Sequence, residues 1–304
     1  MAFKYSTSGK TQTGRLTYEN TEKYININGI NIHYHEAGEE HEDAIVFLHG
    51  GGLGASGWFN FYLNIEPFSE HFRTILIDMP NFGRSDAYVH TDVSATELDG
   101  EVLSEFLKQK GIAKASLVGN SKGGGDAIHF SVHYNDQLDL LCLMGARTGP
   151  SLFDPLPHEG TRLLGEILRE PSRDKVERVL HLFVADDDII TPEFVEMRWQ
   201  SVTANEEHRQ ARLKSVSMRP NSNLIHRLHE VKQPVFVVFG AHDRFAALDS
   251  SVSLMRHYPN SELYVIRNSG HWAQWETPDE FNEMTIAWAL RQKAAQREAA
   301  PAAG

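Results

Sequence analysis

The chain of 304 residues has a single cysteine, Cys142. A lone thiol closes no internal disulfide and supplies no cysteine-type zinc site. Set in the apolar run Leu140-Leu141-Cys142-Leu143-Met144, it reads as a core residue. No apolar run approaches the ~18 residues of a membrane-spanning helix. The polar first twenty residues lack the apolar stretch of a secretion signal, so the expected location is cytoplasmic. Excess positive charge is missing too. Lys and Arg total 29 against 41 Asp and Glu, a formal net charge of −12. Such a surface repels phosphate backbones and anionic lipid, so neither nucleic acid nor membrane is an expected partner. No internal repeat is present.

What is there is globular. Apolar residues make up 41% of the chain and charged residues 23%, enough for a sizeable core without disulfide staples. After a Ser/Thr/Lys/Gly-rich arm over residues 1–20, Tyr24-Ile25-Asn26-Ile27 and Ile30-Asn31-Ile32-His33-Tyr34 alternate apolar and polar. Asn28-Gly29 between them predicts a hairpin, because both turn positions need positive φ. Short apolar runs follow at Ala44 to Leu48, Thr74 to Ile77, Ser116 to Val118, Leu138 to Met144, Pro234 to Phe239 and Leu263 to Ile266. Amphipathic stretches separate them, such as Leu98, Val102, Phe106 and Leu107, and a last helix is expected around Phe281 to Leu290. Strands alternating with helices imply a mostly parallel α/β sheet covered on both faces. Between about 148 and 231 the pattern changes to helical stripes, at Leu163 to Leu168, Val176 to Phe183, and Phe194 to Trp199. This reads as a helical insertion. The Ala-rich residues 292–304 read as a frayed tail.

Gly119-Asn120-Ser121-Lys122-Gly123 fits Gly-x-Ser-x-Gly between a strand and a helical stretch. There a serine sits on a tight, strained turn with its hydroxyl exposed at the carboxyl end of the sheet. The helix N-terminus beneath it favours a developing oxyanion. A serine needs a base, and the base needs orienting. On this strand–turn–helix frame the partners follow in the order Ser, Asp, His. Asp243 and His271 stand just after the next two candidate strands; His242 and Asp249 fit those strand ends less well. His49-Gly50-Gly51-Gly52 follows an earlier strand, where one oxyanion-hole amide is expected, assigned to Gly51. The other comes from the residue after the nucleophile, Lys122.

Three other patterns compete. Gly52-Leu53-Gly54-Ala55-Ser56-Gly57, with Asp78 21 residues on, mimics a dinucleotide fingerprint. The aromatic-rich stretch after it is no well-patterned helix, and a nicotinamide enzyme would leave Ser121, Asp243 and His271 unexplained. His33-x-His35 offers two metal ligands but no evident third, so an exposed strand is the expectation. Arg198, beside Trp199, would clamp a carboxylate if it faced the sheet top and do nothing if it faced solvent.

The segments His49-Gly-Gly-Gly-Leu-Gly-Ala-Ser-Gly-Trp-Phe-Asn60, Gly119-Asn-Ser121, Gly149-Pro-Ser-Leu-Phe153, Arg198-Trp199, Asp243-Arg-Phe245 and Gly270-His-Trp-Ala-Gln-Trp-Glu276 span nearly the whole folded chain. Through them the chain resembles the α/β-hydrolases, and more narrowly the meta-cleavage-product hydrolases. These split the C5–C6 bond of 2-hydroxy-6-oxo-hexa-2,4-dienoates in aromatic compound degradation. The resemblance implies an eight-stranded, mostly parallel sheet with a helical cap inserted before the last two strands. Core would be 21–147 and 232–291, and cap 148–231. It implies a triad of Ser121, Asp243 and His271, an oxyanion hole from the Gly51 and Lys122 amides, and substrate contacts from Gly50, Asn60, Asn120, Arg198, Phe245 and Trp272. It implies no cofactor, no metal, a small-molecule substrate and a homo-oligomer.

Two positions depart from the family's pattern. Lys122 stands where Met or Leu is usual. Its ammonium either pairs with Asp126 at i+4, worth ~0.3–0.5 kcal/mol on a surface, or touches substrate. Arg147 falls in the stretch Gly145-Ala146-Arg147-Thr148, near the insertion hinge. A carboxylesterase or lactonase with the same triad remains the alternative, and a hydrolase-derived binding protein a third reading. Ser121 argues against epoxide hydrolases and dehalogenases of this fold, which would carry Asp there.

Overall fold

The computed structural model describes residues 15–146, 159–215 and 224–299. The chain enters through α1 (Tyr18–Thr21), capped by the Thr17 hydroxyl, which accepts from the Asn20 amide. The hairpin β1 (Glu22–Ile27) and β2 (Ile30–Ala37) follows, with Asn28 at φ 53° and Gly29 at φ 91°. That geometry matches the twist of the two strands. Residues 15–20 are therefore built into the fold, not part of a loose arm. Tyr18 is buried edge-on against His35 and Trp58.

Next come β3 (Ala44–Leu48), α2 (Gly57–Phe61), α3 (Ile65–Ser69), β4 (Arg73–Ile77), α4 (Ala95–Gln109), β5 (Ala115–Asn120), α5 (Lys122–His133) and β6 (Leu138–Met144). Among the described residues four α-helices intervene: α6 (Glu159–Arg169), α7 (Arg173–Phe183), α8 (Pro192–Thr203) and α9 (Glu206–Lys214). The sheet resumes with β7 (Val235–Gly240), α10 (Leu248–His257), β8 (Ser261–Ile266), α11 (Ala273–Glu276) and α12 (Pro278–Ala299). The eight strands of the described residues form one sheet in the order β1-β2-β4-β3-β5-β6-β7-β8. Only β2 runs antiparallel to its neighbours; every pairing from β4 to β8 is parallel. Successive side chains of the inner strands enter opposite layers. Ile45 and Phe47 pack under Phe61, Phe68 and Trp288, whereas Val46 and Leu48 pack with Phe106 and Phe130. Burial on both faces explains why these strands read as unbroken apolar runs.

Two expectations need correcting here. Residues 292–299 are not frayed, because α12 continues to Ala299. Ala, Gln, Lys and Arg are strong helix formers. The last turns are also tied down by Lys293 on Asp43 and Asp139 and by Arg297 on Asp43. His33 and His35 are not exposed, because α1 folds back over β2 and covers them. His33 Nδ1 donates to Asp78 Oδ2 at 2.7 Å, and Thr21 Oγ1 lies 2.9 Å from His35 Nδ1. Burial, with His33 adjacent, holds His35 down to about 3, hence neutral. Among the described residues no group of three or more His, Cys, Asp or Glu could hold a metal. Nor is any helix among them long and apolar enough to cross a membrane. Asp78 is an anchor rather than a ribose ligand. It accepts from the Gly57 and Arg84 amides at 2.6 and 2.9 Å, pinning the loops after β3 and β4.

Glu36 of β2 anchors the sheet edge. Its side chain is fully buried beneath Lys23, Arg73 and Lys110, at 3.0, 2.8 and 2.8 Å. Burial alone would raise its carboxyl, but the three cations outweigh that and hold it below its ordinary 4.5. A depressed carboxyl contributes stability above its unfolded-state pKa and loses it as pH falls through the folded one. Glu36→Gln is expected to cost about 3 kcal/mol at neutral pH. Urea unfolding measures it, and the gap to wild type should close as the pH is taken below 4.5.

Candidate active site

β5 ends at Asn120 and α5 begins at Lys122, so Ser121 alone makes the turn. It does so at φ 55° and ψ −112°, a strained conformation for a residue with a side chain. Glycines make the crossing possible. A Cβ on Gly123 would sit 2.1 Å from the Leu48 carbonyl oxygen, and one on Gly119 would sit 2.4 Å from that of Gly123. The turn is stitched on both sides: Ser121 N–H donates to Met144 O at 2.8 Å, and Gly123 N–H to His49 O at 3.1 Å. The Lys122 amide, in the first helical turn, has no intrahelical acceptor.

His271 stands in the loop after β8. Its Nδ1 donates to Asp243 Oδ2 at 2.8 Å, and neither side chain is more than 2% exposed. The other Asp243 oxygen accepts the Phe245 and Ala246 amides at 2.7 and 2.9 Å, which fixes the carboxylate. With Nδ1 carrying the proton, Nε2 is the basic nitrogen. It is buried and has no hydrogen-bond partner among the described residues, Ser121 Oγ included. The His271 amide donates to Phe183 O at 2.7 Å, a tie to α7. Phe245 and Phe183 stack on the imidazole with ring centroids 4.9 and 5.6 Å away.

The Gly50–Gly52 run lies against the Ser121 turn. A Cβ on Gly50 would be 3.3 Å from Asn120 Oδ1, and one on Gly51 3.0 Å from Lys122 Cβ. His49 locks the start of this run. Its Nδ1 donates to Gly50 O at 2.8 Å and its Nε2 accepts Met79 N–H at 3.1 Å. Burial lowers its pKa, so the ring stays neutral. Asn60 Nδ2 donates to Asn120 Oδ1 at 3.4 Å, and Asn120 Nδ2 to His271 O at 3.1 Å.

Gly50, Gly51, Asn60, Asn120, Ser121, Arg198 and Trp272 share one cavity of about 350 Å³. Asp243, His271 and Phe245 are joined to it through the Phe183 stack and the Asn120 bond. Arg198, on α8, faces the sheet top and is 5% exposed. It donates to Gly54 O at 3.0 Å and to Leu53 O at 3.4 Å, with its guanidinium 4.1 Å over the Phe59 ring. The Lys122 side chain turns away, into a second cavity of about 710 Å³. Its ammonium bonds Asp126 at 2.7 Å, as the i+4 spacing suggests, and also Asp99. This is no solvated surface pair, for both carboxylates are at most 3% exposed. Burial pushes the Asp99 carboxyl up, against the pull of Lys122 and with help from Asp126. With two acids on its ammonium, Lys122 is spoken for inside the protein.

Sequence reasoning did not single out Phe183, Phe59 and Leu164, which also line the first cavity. Phe183 ends an apolar stripe that reads only as core, and nothing local says that α7 lies over the β8 loop. Arg147 and Gly149-Pro-Ser-Leu-Phe153 lie outside the described residues.

The family model described as alpha/beta hydrolase fold matches residues 43–278. A 2-hydroxy-6-oxononadienedioate/2-hydroxy-6-oxononatrienedioate hydrolase of Paraburkholderia phymatum is 39% identical, over 91% of this chain and 98% of its own. A 2-hydroxy-6-oxo-6-phenylhexa-2,4-dienoate hydrolase of Burkholderia cepacia is 38% identical, over 89% and 97%. The solved structure of an enzyme of that second name from Rhodococcus sp. strain RHA1 superposes with a TM-score of 0.78 at 26% identity, covering 88% of this chain and 97% of that one.

A buried carboxylate, an oriented imidazole and a strained serine together can activate an oxygen nucleophile. Gly145, at φ 57°, offers a test, because a Cβ there would lie 2.7 Å from His271 Cε1. Gly145→Ala should displace the imidazole, at a folding cost of about 1 kcal/mol for the positive φ. Labelling of Ser121 by a fluorophosphonate should slow by roughly tenfold or more, while thermal melting shows the fold retained.

Proposed function

We propose, for a chain that belongs to the α/β-hydrolase family and within it to the meta-cleavage-product hydrolases, that it cleaves the C5–C6 bond of a 2-hydroxy-6-oxo-hexa-2,4-dienoate in aromatic compound degradation. The observation that carries this reading is the burial of Arg198 in the same cavity as Ser121, Asn60 and Asn120. A plain esterase or lactonase needs the serine but has little use for a buried guanidinium in the same cavity.

Ser121, His271 and Asp243 are the triad, and the Gly51 and Lys122 amides the oxyanion hole. The helices α6 to α9 form a cap that closes the site. Arg198, Asn60, Asn120, Gly50 and Trp272 hold the dienoate head, with Phe245 behind the imidazole. The dienol first ketonises, its O2 proton leaving and C5 gaining one. Ser121 Oγ then attacks the C6 carbonyl as His271 Nε2 takes its proton, and the two amides receive the oxyanion. When C5–C6 breaks, its electron pair passes through C3=C4 onto the C2 carbonyl. A serine can therefore expel carbon only after ketonisation. Protonation releases 2-hydroxypenta-2,4-dienoate, and water, deprotonated by His271, frees the acyl group from Ser121 as a carboxylic acid.

A further apolar cavity of about 280 Å³ adjoins the first through Gly52, Leu164, Phe183 and Arg198. Its other walls are Leu53, Ile167, Val176, Val179, Leu180 and Val202. The C6 substituent goes there. Arg198 is the only charged residue among the described lining, and the carboxylate of the dienoate head engages it, which leaves no cation for a second carboxylate. Burying an unpaired carboxylate in such a place costs several kcal/mol. The relatives' names divide between a dicarboxylate and a phenyl ketone, and this lining favours the uncharged tail.

Meta-cleavage products are yellow, so loss of colour reports turnover. Wild type should bleach the 6-phenyl or 6-alkyl dienoate with kcat/KM about 100-fold above that for the substrate whose tail ends in a carboxylate. Ser121→Ala should bind the dienoate and not cleave it. Retained ester hydrolysis with no bleaching across the panel would move the assignment to the esterase or lactonase.

A further inference from the structure

We propose that Arg212, on cap helix α9, is a positioning residue for the Gly51 half of the oxyanion hole, which it completes only while the cap is seated on the core. This rests on the assignment of the Gly51 and Lys122 amides made above. The Gly51 N–H shares its peptide with the Gly50 carbonyl, which His49 Nδ1 holds at 2.8 Å, but the glycines at 50 to 52 carry no side chain that could hold the next peptide, Gly51–Gly52. An oxyanion donor must nonetheless be fixed before the charge develops, or reorganisation consumes its advantage. Here the run is held from both sides. Arg212 Nη2 reaches across from the cap and donates to Gly51 O at 2.9 Å. Beneath the run, the Lys122 stem fills the space on which a Gly51 Cβ would fall, with Lys122 Cβ at 3.0 Å and Cδ at 3.2 Å from that point.

The two cations treat their charge differently. Lys122 is neutralised by Asp99 of α4 and Asp126 of α5. Arg212 forms no ion pair among the described residues, and its Nη1 has no hydrogen-bond partner among them. Its guanidinium lies 4.6 Å from the centroid of the Phe82 ring, and the Lys122 ammonium 5.4 Å from the same centroid. Burial pulls Arg212 down to about 10, so it stays charged at neutral pH. A buried arginine without an acid is costly to hold. What this one secures is the carbonyl on the far side of the Gly51 Cα from the amide assigned to the oxyanion hole, so with His49 on Gly50 O the residue is fixed at both of its peptides. The hydrogen bond joins cap to core, so lifting α9 removes it.

The test uses Arg212→Met, which keeps the apolar stem and removes the donor, with Arg212→Lys as the conservative partner. Two probes are read: a p-nitrophenyl butyrate assay and stopped-flow traces with the 6-phenyl dienoate. Arg212→Met should lower kcat for the ester and slow the C–C cleavage phase by roughly 10- to 100-fold, less than loss of a whole oxyanion donor. KM, dienoate binding in the Ser121→Ala background and the rate of the ketonisation phase should stay unchanged, and Arg212→Lys should recover most of the loss. Unchanged kcat in Arg212→Met overturns the proposal. So does a parallel fall in kcat, binding and melting temperature that Arg212→Lys does not relieve. If Arg212→Met gives no folded protein, Arg212→Leu, which also lacks a donor, takes its place with the same expectations. A wild type that hydrolyses the ester but bleaches no dienoate overturns the C–C assignment alone, and Arg212 is then judged on the ester. A wild type that does neither overturns both.

Discussion

The close approach of α5 to the end of β3 is the constraint on which the site depends. The first turn of the helix lies so near that a single methyl on Gly123 would overlap the Leu48 carbonyl. Because the helix starts there, one residue must reverse the chain between β5 and α5, and Ser121 takes a conformation that costs of order 1–3 kcal/mol. The surrounding bonds over-determine it. Met144 O holds the Ser121 amide and His49 O holds the Gly123 amide, so the turn is tied to the strand ends on either side of β5. The same approach sets the Gly50–Gly52 run beside Lys122, which brings two candidate oxyanion amides to one place without any further device.

From that point the parallel sheet does the assembling. Ser121 follows β5, Asp243 follows β7 and His271 follows β8, so residues up to 150 positions apart in sequence meet because their strands end on one edge. Charge is handled in two ways within this space. The Asp243 carboxylate is satisfied by two backbone amides and the imidazole, which fixes it where it orients His271. The Lys122 ammonium is satisfied by two carboxylates, which withdraws it from the substrate. Both arrangements meet the rule that a buried charge needs several partners. Only the first leaves a ring nitrogen, His271 Nε2, without a hydrogen-bond partner among the described residues.

Much of this was legible in the sequence because it is local. Asn28-Gly29 writes its hairpin through the sign of φ, and each buried strand writes itself as an apolar run. Gly-x-Ser-x-Gly writes the turn because the glycines are sterically required there. Asp243 and His271 could be picked out only because strand order puts them at successive strand ends; either alone would pass for a loop residue. What was hidden depends on packing between distant segments. The alternating pattern of β2 gave no sign that α1 would cover His33 and His35. Phe183 looked like any other member of a core stripe, and Arg212 like any surface arginine in a polar helix, until α7 and α9 came to rest on the β8 loop and the glycine run. Residues 292–299 are rich in helix formers, yet what docks them onto the core is ion pairs to Asp43 and Asp139, far away in the chain.

The division of labour between core and inserted helices follows from that geometry. Every group that would move a proton or receive an oxyanion belongs to the sheet edge, where rigid strands fix positions to fractions of an ångström. The inserted helices supply the apolar walls of the adjoining cavity, and these can change without disturbing the triad. That separation gives a physical reason why relatives of similar identity to this chain, 39% and 38%, carry names with differently charged tails. Two arginines break the separation. Arg198 and Arg212 both start on inserted helices and both end on backbone carbonyls of the glycine-rich loop after β3, at Gly54 and Gly51. Backbone carbonyls are acceptors that no point mutation in the loop removes. The loop that carries the proposed oxyanion donor is thus held from the side of the proposed tail cavity, so on those assignments binding a well-fitting tail and completing the oxyanion hole are parts of one seated arrangement.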